Sequence, residues 1–535
     1  MRVLRRTLGT LLGPLALGLA PLLATACTAA HGDDARPGDR RPAALAPFER
    51  LLPVPASVNA GGPGYAFGAG TVIRTGPGAR EEVRQVGELL AEQLRGPSGL
   101  PLPVVDGVAG DGIRLRLDQG GAGDGLGEEG YRLESGPSGV TLTARTPAGL
   151  FHAGQTLRQL VPAAGPGTVP GGTVTDRPRF AYRGAMLDVA RHYFTVEQVK
   201  RYVDQLAQYK VNTLHVHLTD DQGWRLAVDS WPRLAEYGGA GEVGGGPGGY
   251  WTKDEYRDLV AYAGERYVDV VPEIDMPGHV NAALASYAEL NCDGKAPARY
   301  TGTKVGFSSL CVGKERTYEF VEDVLGELAE LTPGRYLHIG GDEAHSTPAA
   351  DYAAFMDRAQ AVVGRHGKKV VAWHQLAAAR PAEGAVLQYW GHDRTPAAEK
   401  AAVVAAAKAG HPVILSPADR LYLDMKYDAQ TKPGLAWAGY VPVQRSYSWD
   451  PGSYLSGLPE SSVLGVEAPL WTETVATRGD LELMAFPRVL GLAELGWSPA
   501  GALDWAAYRE RLAAQAPRLD AQGITYYRAP DVPWT

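Results

Sequence analysis

Beyond residue 180 the chain falls into a rhythm of short, nearly continuous apolar runs separated by stretches whose apolar residues recur every three or four positions. The runs are GAMLDVA, NTLHVHL, VDVVPEI, RYLHIGG, KVVAWHQ, AVLQYW, PVILSP and VLGVEAPLW. A run that is apolar on both faces suits a strand covered on both sides, as in a parallel sheet wrapped by helices. The intervening segments, such as TVEQVKRYVDQLAQYK, TKDEYRDLVAYAGERY, TYEFVEDVLGELAEL and PAAEKAAVVAAAKAG, carry a helical period. Eight such strands, mostly alternating with helices across residues 179–535, predict a (β/α)8 TIM barrel of the α/β class. The gap between the fifth and sixth runs is short, so one crossover is reduced there. A doubly wound open sheet is the rival, but no glycine-rich phosphate-binding turn follows any early strand.

Upstream the pattern is mixed. AFGAGTVIRT, GIRLRLD, GYRLES and GVTLTART read as strands, and EEVRQVGELLAEQLRG and GLFHAGQTLRQLV as helices. Together they predict a small N-terminal α+β domain over residues 48–178, closed off by the proline- and glycine-rich separator VPAAGPGTVPGGTVTDRP. Residues 28–47 are charged and proline-rich with no apolar period, which predicts a disordered linker. Residues 1–27 begin with Arg2, Arg5 and Arg6, continue through an apolar stretch and end in small residues. That is a secretory signal, too short and wrongly flanked for a spanning helix. The arginine pair permits twin-arginine export. Ala24-Thr25-Ala26-Cys27 leaves two readings: ordinary cleavage that discards Cys27, or lipoprotein cleavage that leaves it as a lipid anchor. Either way the mature chain is expected to be secreted or held at the cell surface.

Length and composition narrow the partners. The 535 residues have room for two folded domains, and a formal charge of −8 supplies no basic patch for nucleic acid. Besides Cys27 the cysteines are Cys292 and Cys311, and an exported chain that keeps two is expected to pair them. The pair lacks the further ligands of a zinc site.

In a barrel of this type, chemistry gathers at the C-terminal strand ends. Those ends carry Asp188 and Arg191, then His217, Asp220 and Asp221, then Glu273, Asp275 and His279, then Asp342 and Glu343 in HIGGDEAH. Trp373, His374 and Trp390 follow, then Tyr422 and Asp424, then Trp471 and Glu473. Alone, Trp390 reads as core and Arg191 as a surface ion pair. Their convergence on one rim suits a neutral sugar, since carboxylates accept hydroxyl hydrogen bonds and indole faces pack on the ring. His215 and His217 with nearby acids outline a metal site, but His215 lies deeper, where a barrel is normally packed. No metal and no cofactor is expected.

In order and spacing, RGAMLDVARHYFTVEQVKRYVDQLAQYKVNTLHVHLTDDQGWRL, PEIDMPGH, HIGGDEAH, WHQ, QYWG, YLDMKY and APLWTE resemble the β-N-acetylhexosaminidases of glycoside hydrolase family 20. The resemblance implies an exo-acting, retaining hydrolase that releases terminal β-linked N-acetylglucosamine or N-acetylgalactosamine from glycans or chitooligosaccharides. It implies Glu343 as general acid/base, Asp342 as orienter of the 2-acetamido group and Tyr422 as donor to that group's carbonyl oxygen. Trp373, Trp390 and Trp471 would wall the methyl pocket, and Arg191, Asp424 and Glu473 would hold ring hydroxyls. Asp220 and His279 would support Glu343, and Trp437 would lie toward the leaving group. Ordinary glycosidases oppose two carboxyls across the scissile bond, whereas family 20 is an exception in which the substrate's own acetamide attacks through an oxazolinium-type intermediate. Burial and the neighbouring Asp342 charge predict a raised Glu343 pKa. A non-catalytic glycan-binding protein on the same scaffold is the alternative, and loss of either acid or of Tyr422 would favour it. A family 18 chitinase is disfavoured because its D-x-x-D-x-D-x-E pattern is absent.

Overall fold

The computed structural model describes residues 45–534 apart from 77, 79, 108, 119 and 122–124. The signal segment, Cys27 and nearly all of the predicted linker lie outside the described residues.

Eight parallel strands close into a barrel in chain order: Tyr182–Asp188, Thr213–His217, Asp269–Glu273, Tyr336–His338, Lys369–Trp373, Val386–Tyr389, Val413–Leu415 and Val463–Leu470. All eight coincide with the apolar runs. The outer helices have chemically defined starts. Thr195 accepts the Gln198 N–H while the Gln198 side chain accepts the Thr195 N–H, and Thr252 with Glu255 repeats this reciprocal cap. Between the fifth and sixth strands the crossover is only a 3₁₀ turn, His374–Ala378, as the short gap predicts.

The N-terminal part is a seven-stranded mixed sheet with the helices Glu81–Ser98 and Pro147–Leu160. Two expectations need correction. The segment AFGAGTVIRT is two strands, Tyr65–Ala66 and Ile73–Thr75, parted by a turn in which Thr71 accepts the Gly68 N–H. The separator is not only a linker: Gly172–Asp176 pairs antiparallel with both Ser57–Ala60 and Tyr131–Gly136. Only Val174 of that strand is a buried hydrophobe, too little alternation to register as a strand. Gly172 (φ 147°) is required there, because a Cβ would meet the Asn59 carbonyl at 2.6 Å. The sheet and the barrel share buried polar ties. Asp176 accepts from Lys210 Nζ at 3.1 Å and from the Trp497 indole at 2.9 Å, and Arg183 pairs with Glu129 at 2.7 Å.

Cys292 and Cys311 are disulfide-bonded and close a loop after the third barrel strand. Inside that loop the Ser308 hydroxyl donates to Asp221 Oδ1 at 2.6 Å and accepts the Val280 N–H at 3.0 Å. The bridge therefore tethers the segment that supports the residue next to His279.

Candidate active site

The loop leaving the fourth strand turns through Gly340 (φ 63°) and Gly341 (φ 102°). A Cβ on Gly340 would sit 1.7 Å from Asp275 Oδ1, which instead accepts the Gly341 N–H at 3.0 Å. The two glycines thus let this loop press against the third strand's end, and the chain then presents Asp342 and Glu343 at the barrel mouth. Glu343 itself has φ 44°, and His279, across from it, has φ 56°. Left-handed backbone at a non-glycine residue costs about 1 kcal/mol or more, and here it falls on two ionisable groups that touch.

From Glu343 a chain of contacts descends into the barrel. His279 Nε2 lies 3.4 Å from Glu343 Oε2, and His279 Nδ1 lies 3.2 Å from Asp220 Oδ1. Asp220 Oδ2 also takes Arg191 at 2.7 Å and His217 at 2.9 Å. His217 Nδ1 then bonds Glu273, which meets His215 Nε2 at 3.1 Å, and His215 Nδ1 reaches Glu467 Oε1 at 2.8 Å. Glu467 finally accepts from Tyr182 and Gln388. Burial alone would discharge His215 and His217, but the paired carboxylates outweigh it and raise both to about 9.

A raised histidine pKa means the folded state holds protons that the unfolded chain releases near 6.5. That stabilisation is complete below about pH 6.5 and is lost as pH climbs through about 9. Thermal unfolding between pH 6 and pH 10 is expected to show a Tm fall of about 5 °C or more, centred on the alkaline side. Glu273→Gln should flatten it.

Beside this column stands an aromatic cup. Trp373 and Trp471 ring centroids lie 5.8 Å apart, Tyr422 is 6.2 Å from Trp471, and the Arg191 guanidinium sits 4.8 Å over Trp471. Trp437 is 44% exposed at the mouth, edge-on to Trp390 at 6.1 Å and to Tyr422 at 5.8 Å. Among the described residues, Asp342 Oδ1, both Asp424 oxygens, Glu473 Oε2 and Arg191 Nε are buried with no hydrogen-bond partner. Buried polar groups are normally satisfied, so such a cluster is shaped for a polar ligand. The Tyr422 hydroxyl feels the charges of Asp342, Asp424 and Glu343, which sets acids and aromatics around one space.

Electrostatics correct the expectation for Glu343. Burial raises its pKa, but hydrogen bonding and charge from His279, with Arg191 and His345, outweigh it and leave the carboxyl below its ordinary value. Asp342 carries the rise instead, to about 6, through burial and then the nearby Glu343 and Glu273 charges. The cause is His279, which Asp220 holds protonated well above the usual histidine range despite burial. Asp424 is also pushed up, by burial and by Glu473.

The twelve sequence-derived residues, Glu343, Asp342, Tyr422, His279, Asp220, Arg191, Trp373, Trp390, Asp424, Trp437, Trp471 and Glu473, lie around this column and cup. Sequence reasoning placed Asp275, His217 and Glu273 on the strand-end rim without a specific role in the reaction, and did not single out Glu467. Glu467 had a signal, a lone acid inside the apolar strand VLGVEAPLW. Donor atoms of His215, Glu273 and His338 lie within 4.8 Å of one another and could hold a metal, as could the sets His217–Glu273–Asp275, Asp220–Asp275–His279 and His279–Asp342–Glu343. Within these sets, His215, His217 and His279 already bond to carboxylates.

A family model for glycosyl hydrolase family 20, catalytic domain, matches residues 180–500, and one for domain 2 of the same family matches residues 49–177. The chain is 42% identical over 477 residues to a β-N-acetylhexosaminidase of Cellulomonas fimi, covering 88% of this chain and 94% of that protein. It superposes on the family 20 β-N-acetylhexosaminidase of Streptomyces coelicolor A3(2) with TM-score 0.89 and 62% identity, covering 92% of this chain and 99% of that one. A mutant Streptomyces plicatus β-hexosaminidase in complex with its product GlcNAc gives TM-score 0.89 and 63% identity, with 92% and 98% coverage. With both parts of the chain matched by its models, this protein belongs to glycosyl hydrolase family 20 and is an enzyme of the β-hexosaminidase type.

Proposed function

We propose that the enzyme is an exo-acting, retaining β-N-acetylhexosaminidase in which the substrate's acetamide supplies the nucleophile. The observation that carries this reading is the set of unsatisfied polar atoms on Asp342, Asp424, Glu473 and Arg191 around the tryptophan cup. Arg191, over the Trp471 ring, and Asp424, beside Glu473, are buried next to the cup; ring hydroxyls held by them belong to a sugar at the end of its chain. Asp342 and Glu343 are consecutive, a poor arrangement for two carboxyls opposed across a bond. They suit a division of labour instead.

Asp342 as carboxylate accepts the acetamide N–H and offsets the positive charge that develops as the acetamide oxygen closes on the anomeric carbon. Tyr422 donates to that oxygen, while Trp373, Trp390 and Trp471 exclude water and hold the methyl group in attacking position. Glu343 protonates the departing oxygen, then deprotonates the water that opens the ring. His279, charged and backed by Asp220, keeps Glu343 in place. Its charge also keeps Glu343 ionised, and the desolvation that a covering sugar imposes opposes that state. The seated substrate thereby readies the acid.

GlcNAc bound to the Streptomyces plicatus relative supports an N-acetylglucosaminide, with chitooligosaccharides and other N-acetylhexosamine-terminated glycans as the substrate class. The amino-terminal signal supports action outside the cell, at the surface if Cys27 is acylated. Chromogenic N-acetylglucosaminide and N-acetylgalactosaminide, assayed with and without a chelator, test the proposal. Release of both aglycones is expected, unaffected by the chelator, together with strong inhibition by a cyclic thiazoline mimic of the intermediate. Failure of the thiazoline to bind would overturn the mechanism.

Because Asp342 must be ionised and is held at about 6, kcat/KM should fall on the acid side with an apparent pKa near 6. Asp342→Asn should abolish that limb in whatever rate remains.

A further inference from the structure

Between the helices Glu81–Ser98 and Pro147–Leu160 on one side and Val196–Ala207 and Ala516–Ala521 on the other lies a cavity of about 620 Å³. It shares no lining residue with the catalytic cup. Four arginines reach it. Arg201 is neutralised by Glu482 at 2.7 Å and Arg266 by Asp204 at 2.5 Å. Arg158 and Arg518 form no ion pair among the described residues, although Arg158 is only 6% exposed.

Their protein partners are neutral. Arg158 donates to Gln155 Oε1 and to the Gln208 carbonyl, each at 3.3 Å, and Arg518 donates to the carbonyls of Gln159 at 2.7 Å and Val161 at 2.6 Å. Those carbonyls lie at the C-terminal ends of two helices, each end worth about half a negative charge, less than two guanidinium groups require. The mismatch registers in Arg518, lowered to about 10 by burial and by the Arg158 charge. Two further lining residues, Gln205 and Gln208, each carry a buried Oε1 acceptor that meets no donor. Glu92, the remaining acid of the lining, is exposed at the surface.

We propose that this cavity binds a small hydroxylated oxyanion, a sugar or polyol carrying a phosphate or a carboxylate. Arg158 and Arg518 take the anionic group, and Gln205 and Gln208 accept its hydroxyls. The volume is that of an ordinary small-molecule site.

Titration calorimetry at low ionic strength tests this, with glucose 6-phosphate, glucuronate, inorganic phosphate and glucose as probes. One or both charged sugars should bind one to one, and which one does identifies the anionic group. Glucose should give no heat, and inorganic phosphate should bind more weakly than glucose 6-phosphate. Arg158→Gln or Arg518→Gln should each weaken binding by about tenfold or more, the effect of one charge-assisted contact. Hydrolysis of the chromogenic N-acetylglucosaminide should be unchanged in both variants. Should either variant misfold, Gln208→Ala must weaken glucose 6-phosphate while sparing inorganic phosphate. Absence of heat with both charged sugars, unaltered affinity in the variants, or displacement by the thiazoline would overturn the site.

Discussion

Glu343→Gln is expected to lower kcat by about 10²–10⁴-fold on an unactivated N-acetylglucosaminide, the usual contribution of a general acid/base. The amide keeps the size of the side chain and can still face His279, but it cannot carry a proton to the leaving oxygen or take one from water. The loss should therefore depend on the aglycone. A poor leaving group needs protonation in the first step, so the deficit is full there. An aryl group of low pKa leaves with little help, and ring opening by water then limits the rate. Folding should be nearly untouched, because the side chain is 29% exposed and its close partner is the His279 ring. Comparing kcat/KM, which reports the leaving-group step alone, across a series of aryl glycosides, with Tm alongside, checks both halves. A deficit that did not vary with leaving-group pKa would remove Glu343 from the acid role.

Asp342→Asn should cost about 10²–10³-fold in kcat, comparable with removing one preorganised electrostatic contact from a transition state. The argument is about charge, not shape. Asparagine preserves the volume beside Asp275 and can still accept a hydrogen bond, yet it offers no negative charge to the forming ring. A substrate whose acetamido group is replaced by hydroxyl cannot form that ring, so wild type should scarcely cleave it and Asp342→Asn should change that residual rate little. The double comparison isolates the coupling between this side chain and that substituent. Near-wild-type turnover of the N-acetylglucosaminide by Asp342→Asn would refute the assignment.

The barrel was legible because each of its strands is an apolar run between amphipathic helices. Gly172–Asp176 was not, since a strand with one buried hydrophobe looks like a linker. The site shows the same division. Asp342 beside Glu343 is visible along the chain, and adjacency led to the expectation of a raised Glu343. What decides the matter is His279, remote in sequence and near in space, whose charge depends in turn on Asp220. Likewise Glu467 interrupts an apolar strand for no reason that linear order reveals; only closure of the barrel brings it to His215. Pairwise charge coupling is a property of the folded arrangement, and a sequence read in order exposes only its local part.

The Cys292–Cys311 bridge has a practical corollary for anyone preparing this enzyme. Ser308, inside the bridged loop, holds the Val280 amide next to His279. A batch made in the bacterial cytosol, where thiols stay reduced, would carry that loop untethered. Such material should give lower specific activity per milligram than enzyme matured in an oxidising compartment, and mild air oxidation should recover the difference.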